Sequence, residues 1–151
     1  TKTDFCIGVA GYPEKHFEAP NLNTDLKYLQ SKVDNGGEYI VTQMFFDNKK
    51  YFEYVKACRA AGITVPIVPG WKQKTLKSQL SMIARVFHVD IPDDLEREIE
   101  KCKNDDHVKQ VGIEWAIQQS KELAASSEVP CLHYYTMGQV KTISEIINNV
   151  L

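Results

Sequence analysis

Residues 8–19 read Gly8-Val9-Ala10-Gly11-Tyr12-Pro13-Glu14-Lys15-His16-Phe17-Glu18-Ala19, and residues 39–47 read Tyr39-Ile40-Val41-Thr42-Gln43-Met44-Phe45-Phe46-Asp47. Each opens as a β-branched or apolar run of strand length and ends in polar groups capable of chemistry. Between them, Leu22, Leu26, Leu29 and Val33 recur at spacings of three and four, the pattern of one amphipathic helix. Strand, helix and strand in succession make a βαβ unit, whose two strands run parallel. Parallel strands deliver their carboxyl ends to one rim, where α/β folds build their sites. Tyr12, His16 and Glu18 on one strand end and Gln43 on the other therefore read as two walls of one pocket.

The pattern continues outward from this unit. Residues 5–10 form an apolar run closed by Gly11 and Pro13. Asn23 or Thr24 is placed to cap the first helix, with Asp25 in its first turn, where negative charge suits the dipole. Gly36-Gly37 ends that helix. A second helix starts at Asn48, carries Phe52, Val55 and Cys58 on one side, and stops at Gly62. Residues 65–68 form a short strand with Pro66 at its start and Pro69-Gly70 at its end. Residues 76–87 read as a helix, and residues 89–93 as a break. A highly charged helix from Asp94 to about Lys103, capped by Asp93, reads as solvated. Asn104-Asp105-Asp106 opens the next, whose buried side is Val108, Val111, Trp115, Ile117 and Leu123. Residues 129–135 form the last strand, and Ile143, Ile146, Ile147 and Val150 line the last helix. The order β-α-β-α-β-α-α-α-β-α predicts an α/β fold with a parallel sheet, either open or half of an eight-stranded barrel. A buried parallel strand needs neighbours on both sides. Only four residues precede the first strand, so the chain is expected to be the later part of a longer one.

With 151 residues the chain has the length of one domain with its own core. It is 43% hydrophobic and 25% charged, with a formal net charge of −2. That balance offers no general field for nucleic acid or an anionic membrane. No apolar run approaches the roughly 18 residues of a membrane span. The first residues show no signal-peptide pattern. Cys6, Cys58, Cys102 and Cys131 are widely spaced and read as reduced, mostly buried thiols of a cytoplasmic protein.

Tyr12 and His16 flank a Pro-containing turn. They either project into a cleft, where an aromatic ring packs on a planar ligand and His donates to phosphate, or cover the core and meet solvent. Glu18 suits a general base, a ribose contact or plain solvent exposure. Asp25, Tyr28, Ser31 and Lys32 share one helical face. Asp25 and Lys32 fit the hydroxyl and phosphate groups of a ligand, or an exposed polar face. Gln43 interrupts an apolar strand, and a buried amide must satisfy both its donors and its acceptor. A ligand with paired donors and acceptors, such as a pterin, would do so, as would a neighbouring strand. Alternation puts His133 and Tyr135 on one strand face and Tyr134 and Thr136 on the other. No metal-ligand spacing, GxGxxG, P-loop or GxSxG is present.

Taken in order, these segments resemble the methylenetetrahydrofolate reductase family. The matching residues are Val9-Ala10-Gly11-Tyr12-Pro13 with His16-Phe17-Glu18-Ala19, then Asp25-Leu26 and Lys32-Val33, Thr42-Gln43-Met44-Phe45-Phe46-Asp47, Val65-Pro66-Ile67-Val68-Pro69-Gly70, and Leu132-His133-Tyr134-Tyr135-Thr136-Met137. Phe87-His88-Val89-Asp90-Ile91-Pro92 has the look of a bacterial member. The resemblance implies a (β/α)8 TIM barrel, of which residues 1–151 are the second half, roughly strands 5 to 8. It implies FAD as cofactor, NAD(P)H as co-substrate, and reduction of 5,10-methylenetetrahydrofolate to 5-methyltetrahydrofolate in one-carbon metabolism and methionine biosynthesis. By carry-over, Tyr12, His16, Glu18, Ala19, Asp25 and Lys32 match flavin-contacting positions, and Gln43 and Tyr135 match folate-contacting ones.

The family's catalytic Glu belongs to its first strand and a pterin-addressing Asp to its fourth. Both lie ahead of Thr1, so no catalytic residue is expected here and the 151 residues alone are expected to be inactive. Gly138-Gln139 stands where the family often has Asn-Arg, and Trp71-Lys72-Gln73-Lys74 where it often has a further Pro. Two open strand edges imply self-association, or completion by the missing half-barrel. The alternatives are a non-enzymatic, self-associating half-barrel scaffold and another FAD-binding barrel.

Overall fold

The computed structural model describes residues 4–72 and 77–151; positions 1, 73, 74 and 76, named above, lie outside the described residues. The elements in order are β1 (Gly8–Gly11), α1 (Leu22–Asp34), β2 (Tyr39–Thr42), α2 (Asn48–Ala60), β3 (Ile67–Val68), β4 (Gly70–Trp71), α3 (Lys77–Phe87), α4 (Asp93–Glu100), α5 (Asp105–Ala124), β5 (His133–Tyr134) and α6 (Val140–Val150). All strand pairs are parallel. β1 pairs with β2 from Gly8↔Tyr39 to Gly11↔Thr42, and β2 with β3 at Ile40↔Ile67 and Val41↔Val68. β4 pairs with β5 at Gly70↔His133 and Trp71↔Tyr134. Pro69 alone separates β3 from β4, so residues 67–71 form one bent run that serves β2 with its first half and β5 with its second. Parallel strands in chain order with helical crossovers form the expected half of a (β/α)8 barrel.

The bend has a local cause. Proline has no N–H to give a ladder. The Pro69 carbonyl accepts the His133 N–H at 3.0 Å, while the Pro66 carbonyl accepts that of Ile40 at 2.9 Å. Gly70 is required next: a Cβ there would lie 2.1 Å from the Thr42 carbonyl oxygen. Its N–H donates to Thr42 Oγ1 at 2.9 Å.

Three apolar clusters hold the helices in place. Leu26, Leu29, Ile40, Phe45, Tyr51, Tyr54 and Ile67 join α1 and α2 to the sheet. Met44 and Phe46, pointing the other way, meet Ile83, Val89, Leu95, Ile99 and Val108. Trp71 packs with Ile113, Ala116, Ile143 and Ile146. Among the described residues no helix is long and apolar enough to cross a membrane.

Several sequence expectations are corrected. The strands are shorter than their apolar runs. Phe5 is 76% exposed because β1 has a neighbour on one side only, and residues 43–46 run past the end of β2. The segment 129–135 is a strand only at His133 and Tyr134. Asn21, not Asn23 or Thr24, caps α1 and accepts the Thr24 N–H. α4 is not simply solvated, since Leu95 and Ile99 bury one side of it. Of the four thiols only Cys58 is buried; Cys6 and Cys131 are exposed, and none forms a disulfide.

Candidate functional site

The loop 12–19 leaves β1 at Gly11, where a Cβ would meet the Tyr54 hydroxyl at 2.5 Å and Ile40 Cγ2 at 2.7 Å. The Tyr54 hydroxyl accepts the Tyr12 backbone N–H at 3.2 Å. Lys15, at φ +73°, turns the chain back. Its ammonium donates to the carbonyls of His16 at 3.0 Å and Ala19 at 2.7 Å, which holds the loop closed on itself. The His16 N–H donates to Asp25 Oδ2 at 3.1 Å and so ties the loop to the first turn of α1.

This folding brings the predicted residues together. Tyr12, His16, Glu18, Ala19, Asp25 and Lys32 line one cleft of about 370 Å³, with Tyr28 as the seventh wall. Ser31, on the same helical face, is not among the lining residues. Tyr12 and His16 meet edge to face at 4.6 Å between ring centroids. Lys32 Nζ sits 5.6 Å from the Tyr12 ring centroid and donates to the Ala10 carbonyl at 3.1 Å. Asp25 is 8% exposed and Ala19 5%. Burial first, and then the Asp25 carboxylate, push the Tyr12 hydroxyl above its ordinary range. The cleft therefore presents a cation, a buried carboxylate and an aromatic flank. That set suits a ligand carrying phosphate, hydroxyl and planar groups together.

Gln43 and Tyr135 lie outside this cleft, on the same carboxyl-terminal rim. The Gln43 N–H donates to the Gly11 carbonyl at 2.8 Å. Gln43 follows β2 rather than interrupting it, it is half-buried, and its Oε1 accepts the Met44 N–H at 2.9 Å. The Tyr135 hydroxyl donates to the Thr42 carbonyl at 3.1 Å, which spans the sheet beneath Gly70. Burial, then the nearby Tyr12 phenol, raise the Tyr135 hydroxyl above its ordinary range. His133 and Tyr135 share a face as alternation requires, with ring centroids 4.6 Å apart. Tyr134 turns away to donate to Ser120 Oγ at 2.9 Å.

The methylenetetrahydrofolate reductase family model matches residues 1–151. The chain belongs to this family. It is 35% identical over 147 residues to a probable methylenetetrahydrofolate reductase (NADPH) of Caenorhabditis elegans, covering 97% of this chain and 22% of that protein. It is 39% identical over 140 residues to methylenetetrahydrofolate reductase 2 of Saccharomyces cerevisiae, covering 91% of this chain and 23% of that one. With the 5,10-methylenetetrahydrofolate reductase of Pectobacterium carotovorum it shares 35% over 139 residues, 91% of this chain and 46% of that protein. The chain thus spans less than half the length of each of these reductases. A solved structure of similar fold, at TM-score 0.65 and 16% identity, covers 97% of this chain and 53% of its own; it is an uncharacterized protein from Clostridium thermocellum that binds two copies of 5-methyl-5,6,7,8-tetrahydrofolic acid.

Sequence reasoning passed over one residue that the geometry brings forward. Glu14, inside the Tyr-Pro-Glu-Lys-His stretch, is buried on the far side of the loop. The spacing of Tyr12 and His16 around Pro13 held the only hint, since a turn that points two side chains one way points the residue between them another.

Proposed function

We propose that this chain is the flavin- and folate-facing half of a cytoplasmic methylenetetrahydrofolate reductase barrel, reducing 5,10-methylenetetrahydrofolate with NAD(P)H. The observation that carries the reading is the gathering of Tyr12, His16, Glu18, Ala19, Asp25 and Lys32 around one cleft beside the rim that bears Gln43 and Tyr135. The donor set fits FAD: Lys32 offers charge to the diphosphate, Asp25 accepts from ribityl or ribose hydroxyls, and Tyr12 with His16 flanks the ring system. The chemistry supplied by bound FAD is hydride transfer, from NAD(P)H and on to the folate. This chain's contribution is positional. Gln43 and Tyr135 orient the pterin, and the loop clamp holds Tyr12 and His16 in place before the ligand arrives. With β3 and β4 forming one bent run, the edges of β1 and β5 are open. The 151 residues alone are accordingly proposed to self-associate and bind FAD without turnover, and turnover is proposed to need completion by another half-barrel.

The test is to load the purified chain with FAD and pass it through a sizing column while recording flavin absorbance. Co-eluting flavin that is lost in Lys32→Ala and Asp25→Ala, with folding unchanged, is the expected result. A well-folded chain that retains none overturns the cofactor reading. The exposed edge at Phe5 and Ile7, 76% and 48% accessible, favours a second reading, a self-associating scaffold without flavin. Oligomers that exclude FAD would select it.

A further inference from the structure

The loop that carries Tyr12 and His16 into the cleft turns one carboxyl group the opposite way. The Glu14 side chain is 8% exposed, and its Oε2 accepts the Asp90 backbone N–H at 2.9 Å. Lys50 Nζ lies 4.0 Å from the same oxygen and 2.9 Å from the Asp90 carboxylate. Glu14 Oε1 is buried with no hydrogen-bond partner among the described residues. Three residues on, Phe17 stacks on His88 with centroids 5.3 Å apart and planes 17° from parallel. His88 holds that pose at φ +52°, a strained region for a residue with a Cβ. The segment after α3 therefore grips the loop at two points, and the grip at Glu14 is a buried carboxyl group that remains incompletely satisfied.

We infer that Glu14 is a positioning residue for the loop 12–19: its carboxyl group latches the loop to the Asp90 backbone beside Lys50, and so fixes Tyr12, His16, Glu18 and Ala19 at the cofactor cleft. The inference deepens the proposed FAD site and rests on that reading. Nothing in the flavin-contacting set includes Glu14, which faces a separate cleft of about 330 Å³.

The groups facing Glu14 there are Lys15 from the loop, Lys50, Glu53 and Tyr54 from α2, and His88 and Asp90 from the segment after α3. Burial, helped by the charge of the Asp90 carboxylate, outweighs the bond from the Asp90 N–H and the attraction of Lys50 and pushes the Glu14 carboxyl up to about 7. The bond from Lys50 holds Asp90 below the usual carboxylate range. When the loop unlatches, Glu14 returns to water and to its ordinary range. The latched form binds the proton more tightly, so the latch is firmest with Glu14 protonated and loosens as pH rises through about 7.

Amide hydrogen exchange of residues 12–19, corrected for its intrinsic pH dependence, reads the latch without cofactor in the wild-type chain, Glu14→Gln and Glu14→Ala. FAD affinity, from quenching of flavin fluorescence, reads it with cofactor. Glu14→Ala is expected to speed loop exchange more than about tenfold at every pH while β2 stays protected. Glu14→Gln, which keeps the acceptor without the charge, stays protected and flat. The wild type resembles Glu14→Gln near pH 5 and loosens by about tenfold to a hundredfold by pH 8. FAD affinity relative to Glu14→Gln falls in the same order. Equal loop protection in all three chains overturns the inference, as does a wild-type pH profile parallel to that of Glu14→Gln. If the wild-type chain binds no FAD at any pH, the cofactor reading fails, while loop exchange still decides the latch.

Discussion

Gln119→Leu removes a side chain that joins three parts of the molecule. Gln119 lies within α5 and is 4% exposed. Its Oε1 accepts the Trp71 indole N–H at 3.0 Å, and its Nε2 donates to the Phe45 carbonyl at 3.2 Å. Leucine nearly fills the same volume, so the cavity cost is small and the loss is two orphaned polar groups. Each buried orphan costs roughly 1–3 kcal/mol, and the added apolar contact returns a part, leaving a net loss of about 2–4 kcal/mol. Trp71→Phe in the Gln119→Leu background removes one orphan. It should therefore cost about 1–2 kcal/mol less there than in the wild type. Urea unfolding of the four chains, with the denaturant slope unchanged, measures both numbers. A single-variant loss under about 0.5 kcal/mol, or a strictly additive cycle, would refute the role given to this amide.

Glu14 is bound in a site that favours its protonated form, so the folded chain holds a proton that the unfolded chain releases near its ordinary value. Stability is full below that value and drains by about 2 kcal/mol, allowing for solvent screening, as pH rises through about 7; Glu14→Gln should abolish that slope in urea midpoints. Gly70→Ala would push a methyl group into the Thr42 carbonyl, 2.1 Å away, and is expected to prevent formation of the β4–β5 pair, read as lost near-ultraviolet circular dichroism of Trp71. A retained native spectrum would contradict the close approach. Thiol reagents should modify the exposed Cys6 and Cys131 quickly and Cys58, whose thiol burial pushes up to about 11, only on unfolding. Rapid modification of Cys58 in the native chain would count against the packing of α2.

The helices were legible because their signals are local. The stripe Leu26, Leu29, Val33 and the Gly36-Gly37 stop define α1, and Asn104 caps α5 through the His107 N–H as its position suggested. The cleft was legible for a related reason. A spacing of seven residues on one helix puts Asp25 and Lys32 on the same side, and the turn through Pro13 and Lys15 returns Tyr12 and His16 to them. What escaped depends on partners distant in the chain. Pro69 reads as a strand end until β5 supplies the N–H that its carbonyl accepts. α4 reads as solvated because Leu95 and Ile99 are two apolar residues in a charged octet, and only the pocket around Phe46 makes them core. Gln119 looks like any helical amide until Trp71 and Phe45 arrive from 48 and 74 residues away. Glu14 was hidden inside a motif whose other members face the opposite direction.

The bend at Pro69 also divides the molecule in its folding. The run 67–71 hands one neighbour its first half and the other its second, so no rung of the ladder is shared between β2 and β5. A fluctuation that peels away β5 and α6 breaks two register pairs, the Tyr135–Thr42 and Tyr134–Ser120 hydrogen bonds and the contacts around Trp71, and leaves the β1–β2–β3 ladder whole. The C-terminal part can then open as a cooperative unit of its own, below the free energy of global unfolding. Tyr135 travels with that unit and Lys32 does not. The wall that bears Tyr135 is in this way able to breathe on a clock separate from that of the cleft that bears Lys32.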